Sequence, residues 1–438
     1  MPAKAAKKHP LRKQKGISRI QRACSLIAGF MCDKPVLLLF HNPKAILMKT
    51  IVYILRPMAL LLWLFLSPGT GAAALPEPYT DYRTAVATPD KGPQQRTVKI
   101  ALLLDTSNSM DGLINQAKAQ LWDIVNQFTH AYCGDDRRPR LQIALYQYGN
   151  DDLPAREGYI QQVTGFTGDL DELSEKLFSL RTNGGEEFCG QVIQTSLRQL
   201  DWGHRPQDLK MIFIAGNEPF TQGKLDYRDA AAQASEKEVI INTIYCGDYQ
   251  QGINSRWKHG AELGGGDYLA IDHQRKIVHI ATPYDDIIIC LNTRLNNTYV
   301  SYGALGREKK AQQAAQDANA MEMEAPVAVA RSVSKSSNFY SNPTWDLVDA
   351  AAQPGFQISG LKKEQLPGEL RDKGVEEIKS FIHRKKTERE SLQKQIREIN
   401  AKREAYIAER KESKEGGLQS AMMEAIKKQA AKKDFHWE

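Results

Sequence analysis

The chain has 438 residues, of which 42% are hydrophobic and 25% charged, a composition typical of a soluble globular protein with room for one large domain and appendages. Its formal net charge of +7 comes from the first 74 residues, which hold 12 Lys or Arg and one acidic residue. Residues 75–360 are acidic, which argues against binding to the phosphate backbone of nucleic acids and is compatible with a cation site.

The segment 48–74 has the organisation of a secretory signal peptide. Lys49 and Arg56 give it a basic start, residues 58–66 are an apolar run, and the small residues that a signal peptidase requires end at Ala74. We therefore predict cleavage after Ala74 and export to the periplasm or the medium. An uncleaved membrane anchor is the alternative, because the apolar stretch approaches spanning length.

Residues 1–47 precede this segment and are basic and irregular. Two interpretations stay open. Either Met48 is the true start of the protein and the upstream residues are not translated, or they form a basic cytoplasmic extension. Residues 75–96 are rich in Pro, Thr and Asp and are predicted to be a linker.

Strands alternate with helices over residues 97–303. We predict strands at 98–105, 141–149, 159–167, 209–216, 239–247, 267–272 and 276–282, and helices at 113–128, 169–180, 189–202, 226–238 and 283–295. The apolar runs are typical of strands buried on both faces, 159–167 of an edge strand, and the last two strands of a pair. The pattern indicates an α/β fold with a doubly wound, mostly parallel sheet.

The C-terminal third is predicted to be appended to this domain. Residues 304–342 are rich in Ala, Gln, Ser and Lys and are predicted to be a flexible linker, followed by a short docking segment at 343–370. Residues 371–438 are predicted to be helical. Their long helix, about 375–414, is expected to be exposed and to project from the domain, either as a solvated charged helix or as a coiled coil that oligomerises.

Four cysteines follow the signal segment, and an oxidising compartment would permit two disulfides in three pairings. Cys189 and Cys246 are predicted to lie at the same edge of the sheet, so this is the pair we expect, if any forms. Cys290 lies in an apolar run and is the one most typical of a buried free thiol.

The string Asp105-Thr106-Ser107-Asn108-Ser109 lies where the first strand passes into the first helix. Ligands bind beyond the carboxyl ends of the strands in open α/β sheets. Asp105, Ser107 and Ser109 can turn three oxygens toward one point, and a hard divalent cation such as Mg²⁺ prefers oxygen ligands while keeping open positions. The alternative is that these side chains merely cap the helix.

The D-x-S-x-S string after an apolar strand resembles the metal-ion-dependent adhesion site of the von Willebrand factor A family. The strings LLLDTSNSM, TNGGEEFCG and IFIAGNEPF are similar to those of exported bacterial members. The resemblance implies a module of the bacterial envelope that binds a protein partner, through an acidic side chain that completes the coordination of the cation. It also implies that Asp105, Ser107 and Ser109 are metal ligands.

Two further positions depart from the family's pattern. Glu186 stands where the family has a Thr, and Gly216 stands where it has an Asp. We predict that the carboxylate lost at Gly216 is replaced by Glu186, which adds it to the ligand set. Membrane contact is expected only if the signal segment stays uncleaved.

Three functions are therefore weighed. The first is an exported binding module with a degenerate adhesion site that holds a divalent cation. The second is an envelope scaffold with a metal-free domain and a helical interaction segment, and the third is a metal-dependent hydrolase. The catalytic motifs G-x-S-x-G, H-E-x-x-H and G-x-x-x-x-G-K-[ST] do not occur in the sequence. We therefore predict that the protein is not an enzyme.

Overall fold

A computed structural model describes residues 95–134, 137–274, 279–410 and 418–437. The first part contains the strands and helices β1 (Thr97–Asp105), α1 (Asp111–Phe128), β2 (Ala131–Cys133), β3 (Arg140–Tyr148), β4 (Ile160–Thr167), α2 (Leu170–Ser179), α3 (Cys189–Gln199), β5 (Leu209–Gly216), α4 (Tyr227–Glu236), β6 (Ile240–Cys246), α5 (Tyr249–Asn254), α6 (Trp257–Leu263) and β7 (Gly265–Ile271). The second part contains α7 (Asp285–Asn296), α8 (Gly306–Met323), α9 (Ala325–Lys335), α10 (Leu347–Ala350), α11 (Val375–Ala408), α12 (Leu418–Ala431) and β8 (Phe435–Trp437).

The central sheet has six strands in the order β4-β3-β1-β5-β6-β7. Strand β4 is antiparallel to β3, and the other neighbours are parallel. Because the chain moves outward from β1 to β3 and then returns to place β5 on the other side of β1, the sheet is doubly wound with its switch point between β1 and β5. The prediction of an α/β fold with a mostly parallel sheet is confirmed.

Both faces of the sheet are covered by helices, but from different parts of the chain. One face packs against α3, α4 and α6, and all the buried residues of this cluster lie between Ala101 and Trp257. The opposite face packs against α1, α2 and α12, and the same hydrophobic cluster continues outward to side chains of α9 and α11. The C-terminal third is therefore part of the same hydrophobic core.

The predicted strand pair at 267–282 is wrong in its second half. Strand β7 forms and pairs in parallel with β6, but 279–282 contain no strand, and 275–278 lie outside the described residues. Asp267 of β7 instead binds Lys428 and Gln429 of α12. Helix α12 thus contacts β7, the strand that the sequence pattern paired with a second strand.

The flexible linker predicted at 304–342 is also wrong, because α8 and α9 occupy most of it. Ala, Gln and Lys were taken as linker residues, yet they are strong helix formers, and the small Ala side chains allow close packing. Arg331 is 1% exposed and forms ion pairs with Asp171 at 2.8 Å and with Asp317 at 2.5 Å. Lys335, fully buried, also pairs with Asp317, at 3.0 Å.

The long helix α11 does not project into solvent as expected. Its buried residues recur along its length: Ile378, Ile382, Arg389, Leu392, Ile396 and Arg403. Arg389 donates to Asp346 and to Asp349, both at 2.7 Å, so the charge inside the apolar stripe is paired. Arg403 donates to Asp285 of α7 at 2.9 Å. The apolar stripe of α11 therefore packs against the domain itself.

Helix α12 and strand β8 complete the fold. Leu418 and Gln419 at the start of α12 donate their backbone N–H groups to the side chains of Gln116 and Gln120 of α1, at 3.3 and 2.8 Å. Strand β8 pairs antiparallel with β2. The chain's last described residues thus pair with the segment that follows α1.

The described part of the chain contains four cysteines, and none of them forms a disulfide there: Cys133, Cys189, Cys246 and Cys290. The expected Cys189–Cys246 disulfide is therefore absent. No helix within the described ranges is long and apolar enough to cross a membrane. The predicted signal segment 48–74, its cleavage site and the extension 1–47 lie outside the described residues.

Candidate functional site

The candidate site lies at the switch point of the sheet. Asp105 ends β1 and Gly216 ends β5, the two strands between which the connection reverses direction. The loop that carries Ser107 and Ser109 follows β1 and leads through a single 3-10 turn into α1. Because parallel strands bring their carboxyl ends to one edge, these loops meet there. The structure thus brings three of the four predicted ligands to one place.

Asp105 is buried, and only one of its two carboxylate oxygens is hydrogen-bonded. It is fully buried, and its Oδ1 accepts a hydrogen bond of 2.8 Å from the backbone N–H of Ser107. Its Oδ2 is buried without a hydrogen-bond partner among the described residues. The Oγ atoms of Ser107 and Ser109 lie 3.4 Å apart, and Asn217 donates to Ser109 at 3.2 Å. Neither serine side chain caps α1 or the turn before it.

The carboxylate that joins this site is Glu187, and not Glu186. Glu187 is 6% exposed, whereas Glu186 is exposed. A Cβ placed on Gly149 would lie 2.6 Å from Cγ of Glu187 and 3.0 Å from Oδ1 of Asp105, so the two side chains converge beside that glycine. The sequence indicated a replacement carboxylate in the pair Glu186–Glu187. Adjacent side chains point in different directions, however, and the sequence pattern does not show whether Glu186 or Glu187 faces the site.

The two buried carboxyl groups are strained electrostatically. Burial, followed by the charges of Glu187 and Glu218, raises the pKa of Asp105 to about 8, against the opposing hydrogen bonds from Ser107. Burial and the charge of Glu218 likewise raise the pKa of Glu187 to about 7. Burial disfavours the ionised form of both carboxyl groups. A cation bound at this site would stabilise that ionised form.

The missing Asp at position 216 has a steric explanation. A Cβ on Gly216 would lie 2.6 Å from the hydroxyl oxygen of Tyr148 and 3.0 Å from Oδ2 of Asp105. The Tyr148 hydroxyl is fixed there, because it donates to the carbonyl of Ala215 at 3.0 Å. The hydroxyl of Tyr148 from β3 thus occupies the space that an aspartate side chain at position 216 would need. The second buried carboxylate, Glu187, approaches Asp105 beside Gly149 instead.

The loop with paired glycines packs closely on the loop after β3. A Cβ on Gly185 would lie 2.7 Å from the carbonyl carbon of Gly149, so only glycine allows this approach. Asn183 donates its backbone N–H to Thr106 at 3.0 Å, and Asn150 donates to Arg181 at 2.9 Å. These bonds join the loop to the start of the Asp105 string and hold Glu187 in place.

The donor set fits a hard divalent cation. Two carboxylates and two hydroxyl oxygens are the ligand types that Mg²⁺ accepts, and Oδ2 of Asp105 has no other partner. Among the described residues, no group of three His, Cys, Asp or Glu side chains is arranged to bind a metal. A site here therefore depends on the serine hydroxyls, as the sequence predicted, and not on acidic side chains alone.

Comparisons with known proteins identify one domain family for part of the chain. Residues 99–254 match the family model of the von Willebrand factor type A domain. A search of curated proteins found no match. Among solved structures, proximal thread matrix protein 1 from the mussel byssus, in a form with a zinc-occupied MIDAS motif, is 15% identical with a TM-score of 0.31. That alignment covers 41% of this chain and 43% of the mussel protein, so the chain spans less than half of that protein's length.

Two further structures are similar over the same share of the chain. The VWA domain of SpRpn10 is 16% identical, with a TM-score of 0.31 and coverage of 40% of this chain and 88% of that one. An aerotolerance-related membrane protein from Bacteroides fragilis is 15% identical, with a TM-score of 0.28 and coverage of 40% and 92%. The family match, which spans the Asp105 loop and the Glu187 loop, carries the assignment. The chain contains a von Willebrand factor type A domain at residues 99–254.

Proposed function

We propose that this protein is an exported binding module whose domain holds a divalent cation, Mg²⁺ in the first instance, with Asp105, Ser107, Ser109 and Glu187. The single observation that carries the proposal is the fully buried Asp105, whose Oδ2 has no hydrogen-bond partner among the described residues. A bound cation would satisfy that oxygen and serve as an electrophilic contact for a partner. Von Willebrand factor type A domains commonly mediate protein–protein binding, generally without catalysis, which favours a binding role over an enzymatic one.

The location is proposed from the sequence. The basic start, apolar run and alanine-ended cleavage site at 48–74 support export to the periplasm or the medium. N-terminal sequencing of the protein from its native host should find Leu75 first. A mature protein that retains residues before Met48 would contradict both the cleavage and the later start.

The scaffold alternative receives less support. It requires a free C-terminal helix that recruits or oligomerises, but the apolar stripe of α11 is buried against its own domain. The alternative also requires a domain without metal, which leaves the buried Oδ2 of Asp105 with no hydrogen-bond partner among the described residues. The binding module accounts for both features.

Isothermal calorimetry with Mg²⁺, Mn²⁺ and Ca²⁺ tests the cation site directly. A cation that binds only the folded state stabilises it by about 2.7 kcal/mol at a hundredfold excess over Kd. Asp105→Asn should abolish both the binding heat and this stabilisation. Absence of binding by the wild-type protein at millimolar metal would overturn the proposal and favour the scaffold.

The two adjacent glutamates provide a matched pair of variants. Glu187→Gln removes the buried carboxylate and should weaken cation binding at least tenfold, the effect of losing one charged ligand. Glu186→Gln removes an exposed carboxylate one residue away and should change it little. The reverse outcome would restore Glu186 as the ligand that the sequence predicted.

A further inference from the structure

A groove between the docking segment and the start of α11 belongs to neither the candidate site nor the central sheet. Its volume is about 500 Å³, which is within the range of ligand-binding clefts. One wall is formed by α11 and the other by residues 356–359, and the buried Val348 of α10 also lines it. This surface is called the α11 groove below.

The wall opposite α11 carries apolar side chains that are fixed in place. The ring of Phe356 packs edge-on against Tyr302, with ring centroids 5.9 Å apart and planes at 81°. The Tyr302 hydroxyl in turn donates to the carbonyl of Pro343 at 2.6 Å. Phe356 and Ile358 are nonetheless only half-buried, so part of their apolar surface faces the groove. The groove is therefore already formed in the free chain.

The α11 wall alternates apolar and basic residues at heptad spacing. The residues that line the groove at intervals of four, three and four positions are Val375, Lys379, Ile382 and Lys386. This spacing places side chains along one side of a helix, where a second helix can lie alongside it. Over these residues α11 is about 16 Å long. Val375 is 40% exposed, so the chain itself does not fully cover this side of α11.

The charged residues that line the groove are basic. Lys379 and Lys386 line it together with His383, and no acidic residue does so among the described residues. Lys379 pairs with Glu376 at 2.8 Å and Lys386 contacts Glu390 at 3.9 Å, but both glutamates lie on α11 outside the lining. Exposed pairs of this kind stabilise little, so the carboxylates of a ligand can compete for both lysines. The groove therefore complements a ligand that is both apolar and acidic.

We infer that the α11 groove binds an amphipathic helix of a partner protein, with apolar and acidic side chains alternating at heptad spacing. The apolar side chains pack against Val375 and Phe356, and the carboxylates meet Lys379 and Lys386. A fatty acid fits less well, because its one carboxylate reaches only one of two lysines that lie two helical turns apart, about 10 Å. The groove shares no residue with the Asp105 site, so the inference does not rest on the proposed cation site.

Fluorescence anisotropy of the full-length protein with labelled peptides tests the inference. The probe is a peptide of Ala and Gln that carries Leu and Glu alternately at the spacing of the α11 wall, with a lactam bridge on its opposite face to keep it helical. One control peptide has Lys in place of Glu, and a second has Ala in place of Leu. We expect the Leu–Glu peptide to bind in a salt-dependent manner and both control peptides to bind at least tenfold more weakly.

A charge swap in the protein provides the matched test. Lys379→Glu with Lys386→Glu should weaken binding of the Leu–Glu peptide about tenfold and strengthen binding of the Leu–Lys peptide. Both lysines are exposed, so the fold should persist, and a gain of affinity for the second peptide cannot come from unfolding. Lys394→Glu with Lys402→Glu makes the same charge change at exposed positions of α11 outside the groove and should leave both affinities within twofold of wild type.

Four outcomes would overturn the inference. Equal effects of the two double variants would mean that binding follows overall charge. Failure of the wild-type protein to bind the Leu–Glu peptide, or equal binding of the peptide without Leu, would show that the groove does not recognise an amphipathic acidic helix. Binding of dodecanoate without binding of the peptide would assign the groove to a fatty acid. A dimer in sedimentation that the Lys379→Glu, Lys386→Glu variant loses would assign it to a second copy of the chain.

Discussion

The two faces of the central sheet are built in different ways. The face under α3, α4 and α6 is closed by residues between Ala101 and Trp257, with aromatic contacts such as Phe220 on Trp257 at a centroid distance of 4.9 Å. The opposite face is covered in part by α12, and its hydrophobic cluster continues to side chains of α9 and α11. The first face is thus closed by residues from Ala101 to Trp257, nearly all within the matched domain, whereas the second face also includes side chains of the C-terminal third.

The second face also uses buried polar contacts between parts of the chain that are far apart in sequence. Asn242, fully buried in β6, donates to Gln429 of α12 at 3.1 Å, and Gln429 contacts Asp267 at 2.8 Å. Arg331 and Lys335 are buried with Asp171 and Asp317. Such contacts fix the position of helices whose own apolar stripes are narrow, since an unpaired buried polar group is costly.

Removing α12 should have the largest effect on the second face. Truncation after Arg410 deletes Leu418, Met422, Ile426 and Phe435, all buried. Each such side chain contributes roughly 1.5–3 kcal/mol, so together they equal much of the stability of a typical domain, roughly 5–15 kcal/mol. We expect the truncated chain to lose its cooperative thermal transition by circular dichroism and to bind a hydrophobic dye.

The control for this truncation lies on the same helix. Glu424→Ala with Lys427→Ala changes two exposed residues and should leave the free energy of unfolding within about 0.5 kcal/mol of wild type. A truncated protein that melts like wild type would show that the first face alone sustains the fold. That result would restore the expectation of a separate, projecting C-terminal segment.

Breaking the charge pair between α11 and the docking segment should have the next largest effect. Arg389→Met leaves Asp346, fully buried, and Asp349 without their cation. Loss of one partner of a buried ion pair typically costs 3–5 kcal/mol, to be measured here by urea unfolding. Arg384→Met, five residues earlier on the same helix and exposed, should cost less than about 0.5 kcal/mol. Equal effects would mean that α11 is not anchored through Arg389.

The contrast between the faces also explains what the sequence could predict. Strands such as 209–216 are continuous apolar runs, so β5 was predicted with both its bounds correct. The helices α8 and α9 were predicted to be a linker because Ala-rich segments held by Arg331 and Lys335 lack the large apolar residues that mark a core helix. Arg403 of α11 likewise pairs with Asp285 of α7, 118 residues earlier in the chain. Pairings across more than a hundred residues leave no local pattern.

The candidate site shows the same limit at shorter range. Asp105, Ser107 and Ser109 were placed correctly at the edge because the strand-to-helix position fixes where a loop lies. Glu187 was missed in favour of its neighbour, since the choice depends on how the glycine pair packs on Gly149. The steric reason for Gly216, the Tyr148 hydroxyl, comes from another strand and is invisible in the sequence.

The amide network under α12 should give a smaller effect. Gln429→Leu leaves the buried Asn242 and part-buried Asp267 without a partner amide, at a cost of about 1–3 kcal/mol. The double variant Asn242→Leu, Gln429→Leu removes both buried amides and should recover part of that loss. Urea unfolding of wild type, Gln429→Leu and the double variant measures the difference. A double variant that is no more stable than Gln429→Leu would contradict this expectation, because the cost would then not come from the unpaired amide of Asn242.

The smallest effect is a pH dependence confined to the second face. Burial lowers the pKa of Lys335 to about 8, against the opposing attraction of Asp317. Between about pH 8 and the ordinary lysine value near 10.4, the unfolded chain holds a proton that the folded chain has released. Unfolding then takes up a proton, so the group makes stability rise with pH across this window, by at most about 1.4 kcal/mol per pH unit. Below pH 8 its contribution is constant.

The free energy of unfolding of wild type minus that of Lys335→Met should therefore increase from pH 8 to 10, while the same difference for the exposed Lys427→Met should stay flat. Parallel curves for wild type and Lys335→Met would mean that the Lys335 ammonium keeps its proton in the folded core, compensated fully by Asp317.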